Sequence, residues 1–77
     1  MSDYINKARR SKAQAALETY ADRSYRSGMD GEDPASILSD LLCDLRHWAR
    51  ANKISFARAV KNSKGNFEEE LTEEKEP

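Results

Sequence analysis

The sequence predicts an all-α protein of three helices in an antiparallel arrangement, at about residues 3–27, 34–51 and 56–70, with a disordered acidic tail at 72–77. Three observations carry that expectation. Apolar residues recur every three or four positions between Ile37 and Ala49, the period of one helix face. Strong helix formers (Ala, Arg, Lys, Gln and Glu) fill the first third of the chain. Turn-forming residues then divide it at Gly28-Met29-Asp30-Gly31 and again at Asn52-Lys53.

In the first helix Ser2 or Asp3 can cap the N-terminus, and Gly28 is placed to end the helix as a left-handed residue. Its apolar stripe is thin: Ile5, Ala8, Ala16, Leu17, Tyr20 and Ala21, with Ala13 beside it. The first few residues are expected to fray. Asp33-Pro34 is the sharpest local signal. The Asp carboxylate can accept from the free N–H groups of the first turn, and Pro at the first helical position has the right φ and no N–H to leave unpaired.

The second helix carries most of the expected core. Ile37, Leu38, Leu41, Leu42, Leu45, Trp48 and Ala49 fall within an arc of roughly 140° at helical spacing. Asp40, Cys43, Arg46, His47 and Arg50 fall on the other side. Asn52 is the expected left-handed residue that starts the next turn. Ser55 can cap the third helix, with Ile54 packing back as a staple. There Phe56, Val60, Ser63, Phe67 and Leu71 share one face. Gly65 interrupts that face, so one continuous helix to about Glu70 is expected, with a break at Gly65-Asn66 as the alternative. The expected layout is thus one helical domain over 1–71 and a tail over 72–77.

Size and composition narrow the function. A chain of 77 residues and 8.8 kDa, 38% hydrophobic and 35% charged with a mean hydropathy of -0.92, has room for one domain with a marginal core. That excludes a multidomain enzyme and a doubly wound nucleotide fold. No apolar run exceeds three residues, far below a bilayer span, and residues 1–15 hold no signal-peptide core. A single cysteine, Cys43, excludes an internal disulfide framework and fits a reducing compartment. A soluble, cytoplasmic protein is expected.

Charge is blocked along the chain although it nearly cancels overall. Residues 1–26 hold six bases and three acids, 27–45 five acids and no base, 46–64 six bases and no acid, and 65–77 one base and six acids. The formal net charge is -1, which argues against general polyanion binding and leaves only the basic block 46–64 as a local version of it.

Candidate chemistry is sparse. Cys43 and His47 are neighbours on one helix, with Asp40 and Asp44 nearby. A closed zinc site needs four ligands, and the chain has no second Cys or His, so the set reads as a polar helix face. A three-helix chain also offers little concave space to desolvate a substrate. No catalytic residue, cofactor or metal is expected, and the protein is read as a non-enzyme.

Trp48, the only tryptophan, is either a core residue with its N–H at the rim or an interface anchor; with Arg46 and Arg50 it forms the expected partner-binding set. Arg50, Lys53, Arg58, Lys61 and Lys64 form the alternative, a nucleic-acid face on a helix-turn-helix-like pair. Against it, Phe56 and Ala57 occupy the positions where base-reading side chains usually stand, and Glu68-Glu69-Glu70 continue the same helix. The tail acids read as a solubilising extension.

The stretch Asp33-Pro34-Ala35-Ser36-Ile37-Leu38-Ser39-Asp40-Leu41-Leu42-Cys43-Asp44-Leu45-Arg46-His47-Trp48, followed by Ile54-Ser55-Phe56-Ala57-Arg58-Ala59-Val60, resembles small helical accessory proteins of phages, plasmids and other mobile elements. The resemblance covers about residues 33–71, half the chain, and departs from the pattern at Lys64-Gly65-Asn66-Phe67. It brings no activity with it; it implies a bacterial cytoplasm and an accessory role directed at a host or a rival element. The expected function is a small protein–protein interaction module with a possible homodimer, and the alternative is a small DNA-binding regulator.

Overall fold

Local chemistry at the helix ends sets the element order. The computed structural model describes the backbone from Ser2 to Lys75 and the side chains from Asn6 to Glu73. It contains α1 (Ser2–Ser24), α2 (Pro34–Ala51) and α3 (Phe56–Lys75), with no strand among the described residues. Met1, Glu76 and Pro77 lie outside them, as does the Ile5 side chain expected on the α1 stripe.

Asp33 caps α2 as its sequence position requires. Its backbone is extended (φ -70°, ψ 124°), and its carboxylate accepts from the Ser36 N–H and hydroxyl, both at 3.2 Å, with Pro34 opening the helix. The other end of α2 differs from expectation in one residue. Asn52 has φ -99°, and Lys53 takes the left-handed conformation at φ 59°. The Ile54 N–H then donates to the Ala49 carbonyl at 2.9 Å and the Lys53 N–H to the Arg50 carbonyl at 3.2 Å, the paired bonds of a Schellman ending. The Asn52 side chain donates instead to the Trp48 carbonyl at 2.8 Å, satisfying another last-turn acceptor.

The Ser55 hydroxyl accepts the Arg58 N–H at 3.1 Å and opens α3. The helix runs through Gly65 unbroken and continues to Lys75, so residues 72–75 of the expected tail are helical. Nothing lies within 4 Å of a Cβ built on Gly65. Gly65→Ala should therefore stabilise the chain by about 1 kcal/mol, read as a higher urea midpoint at unchanged slope.

α1 ends at Ser24, three residues before the expected boundary. Residues 25–32 form successive tight turns, with N–H groups of Gly28, Asp30 and Glu32 donating to the carbonyls of Tyr25, Ser27 and Met29. Gly28 is left-handed at φ 60°, inside this turn rather than at the helix end.

The helices meet pairwise. The end of α1 and the residue after it join the middle of α2 through Tyr20, whose hydroxyl donates to Asp44 at 2.7 Å, and Tyr25, whose hydroxyl donates to Asp40. The two rings are themselves edge to face, with centroids 6.4 Å apart. The first half of α1 joins the far end of α3, where Asn6 donates to the Glu70 carbonyl at 3.1 Å. Arg9 donates to the Asn6 side-chain oxygen at 2.6 Å and lies 3.5 Å from the Glu70 carboxylate. α2 and α3 join at their turn, where the Arg46 guanidinium stands 4.6 Å over the Phe56 ring.

The molecule measures 44 × 32 × 16 Å along its principal axes. Its radius of gyration is 14.7 Å, where a compact chain of this length has about 11.5 Å. Its accessible surface is 6578 Å², against about 4,800 Å² for a compact monomer of this mass. Among the described residues the buried apolar ones are Ala21, Ile37 and Ala49, and Ile37 is the only large one fully enclosed.

Candidate functional site

The apolar side of α2 is where sequence and structure part. Leu38, Leu41, Leu42, Leu45 and Trp48 have the spacing of a core face. Within one chain, only Ile37 and Ala49 on that face are buried, and Leu41 is half-buried. Leu38, Leu42 and Leu45 are 39–48% exposed, and Trp48 is 58% exposed. The expectation that this face carries most of a chain-internal core is thus corrected: Ile37 and Ala49 are enclosed, while Leu38, Leu42, Leu45 and Trp48 stand open.

The third helix repeats the pattern. Phe56 and Leu71 are half-buried where α3 meets its neighbours, while Val60 and Phe67 between them are exposed, as is Ile54 in the turn. Apolar exposure on this scale exceeds the single scattered residues of an ordinary surface. Contiguous patches of several hundred Å² on soluble proteins mark sites of contact.

Of the expected partner-binding set, Trp48 stands open on this face, at the exposed end of the two readings given for it. Arg46 is exposed but spends its guanidinium on the Phe56 ring, so it braces the turn beside Trp48. Arg50 is exposed in the last turn of α2, where its charge also complements the helix dipole.

The basic residues of the alternative are all exposed: Arg50 and Lys53 at the end of α2, and Arg58, Lys61 and Lys64 along α3. Helical register sets Glu68 one turn beyond Lys64, on the same side, so this strip changes sign within its own helix. Cys43 and His47 are exposed, and among the described residues no three His, Cys, Asp or Glu side chains are grouped to hold a metal ion. No described helix is long and apolar enough to cross a membrane.

Two features escaped the sequence reading. One is the clasp of Asn6, Arg9 and Glu70, which borders an open cleft of about 280 Å³ floored by Ala13, Phe67 and Leu71. Asn6 and Glu70 are 64 residues apart, and no local pattern links them. The other is the pair of tyrosine–aspartate bonds. Each phenol is held above its ordinary value of about 10 chiefly because its proton is bonded to a carboxylate, Asp44 for Tyr20 and Asp40 for Tyr25.

A phenol with a raised folded-state value contributes stability that is complete below its unfolded value and is lost as pH rises through the folded one. Helical circular dichroism should therefore fall more steeply above pH 10 in the natural chain than in a Tyr20→Phe, Tyr25→Phe variant. Equal slopes would show that these bonds do not hold α1 to α2.

No protein-family model, no curated protein and no solved structure matches this chain.

Proposed function

We propose that this chain is a non-enzymatic helical interaction module, its three helices running antiparallel, that binds a protein through the open apolar face of α2. Trp48 is the anchor on that face, Arg50 the flanking charge, and Arg46 the residue that braces the anchor's surroundings. The observation that carries this reading is the half-exposed row Leu38, Leu42, Leu45 and Trp48 on a helix whose sequence is built to be covered. Aromatic anchors framed by arginines are the residue types that dominate binding energy at protein interfaces. The setting proposed with it is the bacterial cytoplasm, where an accessory protein of a phage or mobile element acts on a host or rival-element protein.

The test is capture from bacterial lysate by the immobilised chain, with and without nuclease, at low and high salt. A stoichiometric protein that survives nuclease and high salt, and is lost with Trp48→Ala, supports the reading. A catch that disappears with nuclease and weakens steeply as salt releases counterions supports instead a DNA-binding regulator using Arg50, Lys53, Arg58, Lys61 and Lys64. In dilute solution Trp48 emission should be red-shifted and open to acrylamide quenching; a blue-shifted, protected signal would place it in a core.

A further inference from the structure

We propose that the occupant of the α2 face is a second copy of this chain, paired across a two-fold axis with the two α2 helices antiparallel. This deepens the reading of that face as an interaction surface and rests on it.

Three independent properties point to a twin. The first is area. Each chain exposes about 1,800 Å² more than a compact monomer of its mass. That excess is spread over the whole molecule, and an interface of the standard size, about 800 Å² on each partner, would remove less than half of it.

The second property is self-complementary spacing. Leu38, Leu41, Leu42 and Leu45 are separated by three, one and three residues, the same read in either direction. An antiparallel twin centred between Leu41 and Leu42 sets Leu38 level with Leu45 of the partner subunit, and Leu41 level with Leu42 of the partner subunit. A two-fold interface requires one patch to match itself in this way.

The third is charge. Residues 27–45 hold five acids and no base, and residues 46–64 hold six bases and no acid. The boundary falls inside α2, between Leu45 and Arg46, close to the proposed axis. With the axis between Leu41 and Leu42, Arg50 comes level with Asp33 of the partner subunit at each end of the pair, while Asp40 and Asp44, which flank the axis, are bonded to Tyr25 and Tyr20 within their own chain.

The experiment is sedimentation of the full chain from sub-micromolar to hundred-micromolar concentration, with helical circular dichroism on the same samples. The expected result is a species of twice the 8.8 kDa chain mass that dissociates on dilution. Leu42→Asp should raise the dissociation constant roughly 100-fold or more, because it places two carboxylates in the apolar seam. Register is read separately, in a Cys43→Ser background, by mixing Leu38→Cys and Leu45→Cys chains under mild oxidation. The mixed disulfide should form ahead of either symmetric one.

A monomer at every concentration, or symmetric disulfides in preference to the mixed one, overturns the antiparallel twin. If that monomer still captures a protein through Trp48, the interaction surface stands and only the twin is lost. If Leu42→Asp changes neither sedimentation nor capture, the surface itself is wrong.

Discussion

Replacing Ile37 by Ala should destabilise the chain by about 2–5 kcal/mol, the cost of removing a large aliphatic side chain from an enclosed site. Domains of this length hold only about 4–12 kcal/mol in total, so this one change consumes a large part of the stability. The reason is scarcity. Among the described residues Ile37 is the one large apolar side chain with no exposure, and it lies in the first turns of α2. Leu38, its neighbour in sequence and half exposed, is the control. In dilute solution Leu38→Ala should cost less than half as much by urea midpoint. Raising the protein concentration should widen the Leu38→Ala cost if a twin covers that residue, and leave the Ile37→Ala cost largely unchanged. Equal costs for the two variants in dilute solution would contradict the burial pattern.

Gly28→Ala is expected to cost about 2 kcal/mol, from two sources that can be separated. A side chain at φ 60° is intrinsically unfavourable by roughly 1–2 kcal/mol. In addition, the new Cβ would lie 2.5 Å from the Asp22 carboxylate oxygen, which must swing aside. In a domain this small, 2 kcal/mol lowers the melting temperature by about 8–16 °C. Combining Gly28→Ala with Asp22→Ala should recover the steric part and leave the conformational part. Gly28→Asn should cost less than Gly28→Ala, because Asn tolerates the left-handed region. An unchanged melting temperature in Gly28→Ala would mean that the 25–32 turn has another way to form.

What could be read from the residues alone was the chemistry decided by near neighbours. The Asp33-Pro34 start, the Ser55 cap and the left-handed Gly28 depend on a few adjacent backbone groups, and all three are present, although Gly28 stands inside the 25–32 turn and not at the end of α1 as expected. Lys53 shows the limit even there. The position beyond the α2 cap is the one held left-handed, and it carries a lysine where Asn52 had the better intrinsic preference, because the paired bonds from Lys53 and Ile54 set the register of the ending. Periodicity identified the apolar face of α2 but could not say what would cover it. A helix face needs a partner, and its spacing is the same whether that partner is in the same chain or another. The Tyr20–Asp44 and Asn6–Glu70 contacts depend on how whole helices are placed, which no window of a dozen residues encodes.

The local character of the contacts bears on how the protein assembles in time. Most contacts link residues close along the chain, so each helix can form on the microsecond scale without waiting for distant segments to meet. The proposed twin has no such shortcut, since it must arrive by diffusion. Refolding followed by tryptophan emission should then show a fast phase independent of concentration and a slower one whose rate rises with the amount of protein present.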